Sequence, residues 1–168
     1  FLMAIPKLRF KEFSDDWHNK KLKEISKAVS YGMNAAAVAF DGNHKYLRIT
    51  DIDESSREFK AKPLTSPSGI IEDKFKLQLN DIVFARTGAS TGKSYLYNPD
   101  DGNLYYAGFL IKFNIHRANS YFVYLQTFRE DYFKWVQVYS MRSGQPGLNA
   151  EEYKNFKFNI PTLPEQQK

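Results

Sequence analysis

At 168 residues, with a net charge of +5 and a pI near 9.2, the chain has the length of one domain and a mild bias toward polyanionic partners. It contains no cysteine, which excludes disulfides, cysteine-based zinc sites and thiol catalysis, and His18, His44 and His116 lack metal-ligand spacing. The apolar start Phe1-Leu2-Met3-Ala4-Ile5 stops at Pro6-Lys7, far short of the roughly 20 residues of a membrane span, so a cytoplasmic protein with no membrane partner is expected.

Leu22, Ile25 and Ala28 recur at helical spacing and predict a short amphipathic helix over 22–28, with Lys20, Lys21, Lys23 and Lys27 on its solvated side. The small-residue stretch 31–37 reads as a loop, with continuation of the helix as the alternative. Residues 45–50 alternate polar and apolar, a half-buried strand that places Arg48 and Thr50 on one face. Pro63, Pro67 and Gly69 interrupt regular structure between 59 and 76, with a short strand near 69–71.

Strands are predicted at 82–85 and 95–97 around a polar glycine loop, then a long central strand at 104–115 that pairs antiparallel with 95–97 and has Gly108 as a bulge. Asn119 or Ser120 caps a helix carrying Tyr121, Tyr124, Leu125, Phe128, Tyr132, Trp135 and Tyr139 as a core stripe. A polar loop at 140–149 leads to a short helix at 150–156 and a strand at 157–160. Thr162 and Glu165, at capping-box spacing, then open a new helix. The expected fold is α+β, a curved mixed or antiparallel β-sheet with packed helices. Residues 1–161 should form one domain, and 162–168 should begin a helix that continues in a longer polypeptide.

The loop between the strands at 82–85 and 95–97 holds the sharpest signal. Gly92-Lys93-Ser94 has the ending of a phosphate-binding loop, which would bring a lysine and a hydroxyl to a nucleotide's phosphates. The spacing argues against it: only Ala89, Ser90 and Thr91 separate Gly88 from Gly92, and Thr87 stands where the first glycine is required. A β-like run rather than a helix follows, so no helix N-terminus is available for phosphate. A P-loop-like nucleotide-binding enzyme is therefore the weaker reading, and a carbohydrate- or protein-binding module using exposed tyrosines is a third.

Several pieces in order resemble a target recognition domain of the specificity (S) subunit of Type I restriction-modification systems. They are Pro6-Lys7-Leu8-Arg9-Phe10 with Phe13, Trp17, Leu22 and Ile25; Leu47-Arg48-Ile49-Thr50-Asp51-Ile52; and Asn80-Asp81-Ile82-Val83 with Arg86-Thr87-Gly88 and Gly92-Lys93. Ser143-Gly144-Gln145 with Leu148-Asn149 and the closing Ile160-Pro161-Thr162-Leu163-Pro164-Glu165-Gln166 complete the pattern. The resemblance covers nearly the whole chain.

It implies a non-catalytic module that reads one half of a split site on double-stranded DNA, with a second target recognition domain in the parent chain or a dimer. It also implies methyltransferase (modification) subunits and a restriction subunit as partners. S-adenosylmethionine, ATP and Mg would belong to those subunits, with no cofactor here. The chemistry of DNA reading then assigns roles. Arg86 and Lys93 would donate to guanine O6/N7 or phosphates, and Thr87, Ser90, Thr91 and Ser94 to phosphates or bases. Arg142, Ser143 and Gln145 form a second group, with Gln145 suited to adenine, while Arg48 and Lys45 are strand-end candidates. A purely structural role competes at each position: Arg48 can pair with Asp51 or Asp53, and Gly88 and Gly92 can simply satisfy a turn.

Overall fold

Residues Asp81–Ala85 are all buried, which a strand manages only when both faces of its sheet are covered. The computed structural model describes residues 8–141 and 146–168 and places this strand at the centre. In chain order the elements are β1 (His18–Lys21), α1 (Leu22–Ile25), β2 (Ser26–Tyr31), β3 (Ala37–Ala39), β4 (Lys45–Leu47), β5 (Thr65–Pro67), β6 (Asp81–Ala85) and β7 (Ser94–Leu96). There follow β8 (Leu104–Tyr106), β9 (Leu110–Ile115), α2 (Ser120–Gln126), α3 (Glu130–Ser140), α4 (Ala150–Lys154), β10 (Lys157–Ile160) and α5 (Leu163–Gln166).

The main sheet runs β2-β9-β6-β7, antiparallel throughout, and three two-stranded pairs surround it: β1-β10, β3-β5 and the parallel β4-β8. Strand alternation decides what covers each face. Ile82 and Phe84 of β6, with Ile111, Phe113 and Ile115 of β9, pack under Val123, Tyr132, Val136 and Tyr153 from the helices. Val83, Ala85 and Leu110 face the other way, onto Leu47, Leu77, Tyr95, Leu104 and Tyr106. The mixed α+β architecture agrees with the sequence expectation.

Two buried tyrosine hydroxyls fasten the base of the β6–β7 connection to the helical layer. Tyr153 of α4 donates to the Ala85 carbonyl at 2.6 Å and accepts from the Gly92 amide at 3.1 Å. Tyr132 of α3 donates to the Gly92 carbonyl at 2.6 Å. Burial pushes both hydroxyls above the ordinary tyrosine range, which favours their protonated, donating form. Gly92 has φ +92°, and a Cβ there would lie 2.8 Å from both methyls of Val136, so only glycine fits beneath α3.

Several elements differ from expectation, each for a local reason. Helix α1 is a single turn, because residues 26–31 instead pair with β9 as strand β2. The strand at 45–50 stops at Leu47. The Asp51 carboxylate accepts from both the backbone and the guanidinium of Arg48 and turns the chain into a 3-10 turn, Ile49–Asp51. The short strand lies at Thr65–Pro67 rather than 69–71.

The expected long strand at 104–115 is two, broken where the Leu110 amide donates to the Ala107 carbonyl; its first half pairs with β4, and 95–97 pairs with β6. The long helix is also two. Arg129 has extended backbone, and of its stripe Tyr121, Leu125, Phe128 and Tyr139 are exposed while Tyr132 is buried. Glu165 does not cap α5. Its carboxylate accepts instead from Arg9 Nε and Nη2, at 2.7 Å each, and from Trp17 Nε1 at 3.2 Å.

Two outcomes follow. Tyr153→Phe keeps the ring but removes the hydroxyl shared by Ala85 and Gly92, whose own main-chain bond at 3.0 Å remains, and urea titration should show a loss of about 0.5–1.5 kcal/mol. The hydrogen bonds from Arg9 hold the Glu165 carboxyl below the usual range, so its contribution is complete above the unfolded value of about 4.3 and fades as the pH falls through the lower folded value. Denaturant titrations across acid pH should therefore show Glu165→Gln and the parent protein converging below that range and diverging above it.

Candidate nucleic-acid interface

The strands β2, β4, β6 and β8 end near one another, and the segments leaving them enclose an open cleft of about 730 Å³. Tyr31 to Ala35 form one wall, Arg48 to Thr50 a second, and the turn Ala107-Gly108-Phe109 a third, with Arg86 at the mouth of the loop. Gly32 is packed so closely that a Cβ would lie 2.1 Å from the Ala107 carbonyl oxygen. This close approach joins β2 to the 107–109 turn, where the Met33 amide also donates to the Tyr106 carbonyl.

The loop at 86–93 is two successive turns, closed by Thr91 N to Gly88 O at 3.0 Å and Lys93 N to Ser90 O at 2.9 Å. Gly88 at φ +74° and Gly92 at φ +92° supply the left-handed conformations these turns need. The outer edge is bonded to the segment that follows residues 142–145: the Gly88 amide donates to Pro146 O, and Thr87 bridges to Gly147. Arg142, Ser143 and Gln145 lie outside the described residues.

The loop divides the predicted residues into two sets. Arg86 is half-exposed and lines the cleft, its guanidinium carbon 4.9 Å over the ring of Tyr31. It has no ion pair among the described residues. Thr87 and Ser90 are also half-exposed, and their hydroxyls bond to no described residue. Thr91 is turned inward on its own loop, bonding Gly88 O at 2.7 Å.

Lys93 is only 7% exposed. Its ammonium bonds the carbonyls of Ile49 and Ile52, at 3.3 and 3.1 Å, and the carboxylate of Glu54, so it braces the loop against the chain after β4. Ser94 is wholly buried, in contact with Arg57 Nη1 at 2.7 Å and the Thr127 hydroxyl at 2.7 Å. As folded here, neither side chain is presented to a ligand, and the lysine of the phosphate-loop-like sequence is fully engaged within the protein.

Arg48 lines the cleft but is clamped to Asp51 through two contacts of 2.8 Å. Lys45 is elsewhere, its ammonium 2.7 Å from the Asp101 carbonyl.

The structure adds residues that the sequence did not single out. Tyr31 and Phe109, the latter 62% exposed, flank Arg86 in the cleft. Arg57 is buried behind the loop, its guanidinium also 4.3 Å over the Phe128 ring, and burial lowers its proton affinity. No periodicity or motif marks Tyr31 or Arg57, and Phe109 fell inside the expected long strand at 104–115. Among the described residues no group of three or more His, Cys, Asp or Glu is placed to hold a metal. No helix there is long and apolar enough to cross a membrane.

Solved structures with this fold include a chain from a study of complex assembly and conformational transition of the type I R-M system (13% identity, TM-score 0.65, 99% of this chain and 38% of that one). The HsdS subunit from Thermoanaerobacter tengcongensis aligns at 12% identity and TM-score 0.61, over 97% of this chain and 37% of its own length. The Type I restriction-modification system S subunit from M. genitalium aligns at 15% identity and TM-score 0.65, over 98% and 39%. At such identities the likeness establishes fold, and this chain spans well under half the length of each. Among curated proteins, none matches. The family described as Type I restriction modification DNA specificity domain matches residues 14–168, and the chain belongs to that family.

Proposed function

We propose that this chain is a non-catalytic DNA target recognition domain that reads one half of a split site on double-stranded DNA. The observation that carries this reading is Arg86: a half-exposed guanidinium with no ion pair among the described residues, held on an aromatic ring at the mouth of a cleft in a basic chain. A carboxylate partner would leave it neutralised. As it stands, its fork of donors matches guanine O6 and N7.

Thr87 and Ser90, whose hydroxyls bond to no described residue, supply phosphate contacts. Arg48 retains donor capacity beyond its Asp51 pair and takes a backbone role. Arg142 and Ser143 are proposed as further contacts and Gln145 as one that addresses adenine, on the chemistry of their side chains. Lys93, Ser94 and Thr91 support the loop rather than touch DNA, and Lys45 is engaged elsewhere, at the Asp101 carbonyl.

In this reading the module works in the cytoplasm within a Type I restriction-modification complex and directs its modification and restriction subunits to their site. A second recognition domain, in the parent chain or a dimer, reads the other half. S-adenosylmethionine, ATP and Mg act on the partner subunits. Family membership supports these assignments.

The test is binding by the full-length protein to its site and to single-base variants over a salt series. Arg86→Ala should cost about 1–3 kcal/mol on the cognate half-site and relax preference at one position. Log K for the parent protein should fall linearly with log salt, by about 0.9 for each phosphate neutralised. Equal loss on every sequence would make Arg86 a phosphate contact, and a flat salt response would remove DNA as the ligand.

A further inference from the structure

We infer that Tyr31 is a positioning residue for Arg86, setting the direction in which its guanidinium enters the cleft. The inference rests on the reading of Arg86 as a base contact and adds a residue to it. An arginine meant to present all its donors has to be oriented without being neutralised. A carboxylate would orient it and occupy two donors, whereas the face of an aromatic ring attracts the cation and leaves every N–H free. The Tyr31 ring, 4.9 Å beneath the guanidinium carbon, meets that requirement.

Tyr31 is itself fixed. It closes β2 in register with Ile111, its carbonyl accepts from the Tyr106 hydroxyl at 3.4 Å, and its own hydroxyl accepts from the Ala150 amide at 3.1 Å. The main chain of Arg86 is held by Phe109 O at 3.0 Å and by the Leu148 amide at 2.9 Å. One short segment, 148–150, therefore fixes both the backbone that carries the guanidinium and the ring on which it rests. Core packing does not account for the ring, since Tyr31 is 42% exposed and belongs to none of the hydrophobic clusters.

The experiment compares Tyr31→Ala, Tyr31→Leu, Tyr31→Phe, Arg86→Ala and the Tyr31→Ala/Arg86→Ala double variant in the full-length protein. Melting temperatures are measured alongside dissociation constants for the site and each single-base variant. Tyr31→Ala and Tyr31→Leu should lose about threefold to fivefold of discrimination at the one position that Arg86→Ala relaxes, the size of an exposed cation–π contact. Tyr31→Phe, which keeps the ring and loses only the Ala150 contact, should retain discrimination there. The double variant should be no worse than Arg86→Ala.

If Arg86→Ala relaxes one position but Tyr31→Ala and Tyr31→Leu leave it intact, or weaken all sequences alike as their melting temperature falls, the positioning role is overturned and the base contact stands. If Arg86→Ala relaxes no position, the base-reading role falls and the positioning role falls with it. Should Tyr31→Ala not fold, Tyr31→Leu against Tyr31→Phe makes the same decision.

Discussion

The clamp formed by Tyr153 and Tyr132 on Gly92 and Ala85 is the constraint from which the cleft follows. The Tyr153 hydroxyl reinforces the main-chain bond between the Gly92 amide and the Ala85 carbonyl, and Tyr132 supplies the donor for the Gly92 carbonyl in a dry environment, where an unpaired carbonyl would cost about 1–3 kcal/mol. With Gly92 pinned beneath α3, the next residue has to point toward the chain after β4, and Lys93 goes inside. The preceding turn has to face outward, and Arg86 opens onto the cleft.

A loop of this kind places opposite demands on neighbouring residues. Its inner half is rigid because Lys93, Ser94 and Arg57 tie it to segments distant in sequence, Glu54 and Thr127 among them. On its outer half the hydroxyls of Thr87 and Ser90 and the Arg86 guanidinium have no hydrogen bond or ion pair to a described residue. A rigid backing suits base recognition, since a side chain that must first be ordered loses affinity and discrimination together. The tie between Gly88 and Pro146 joins the loop's edge to the segment that leads into α4.

Much of this was legible in the chain. The β-branched run at 82–85 and the glycine-bounded loop announced the hairpin, Asn119 announced its helix cap, and 157–160 its strand. What propensity could not reveal was the inward turn of Lys93, which depends on Tyr132 and Tyr153, forty and sixty residues further on. The parallel pairing of 45–47 with 104–106 was hidden for the same reason, as long-range pairing leaves no local mark. The helix break at 127–129 coincides with a buried polar contact, where Thr127 bonds Tyr124 O and meets Ser94 and Arg57. Tyr31 had no signal at all, being one aromatic in a run of small residues. The resemblance to the family carried the functional reading further than any single motif did.

In the proposed reading the surface around Arg86 meets DNA while the tyrosine clamp holds the loop from behind. A structure of the full-length protein on its DNA site tests it most directly. The account predicts the Arg86 guanidinium at a guanine edge in the major groove, still stacked on Tyr31, with Lys93 buried and the Tyr153–Gly92 contact intact. DNA bound on another face with this cleft open to solvent, or Lys93 swung out to a phosphate, would contradict it.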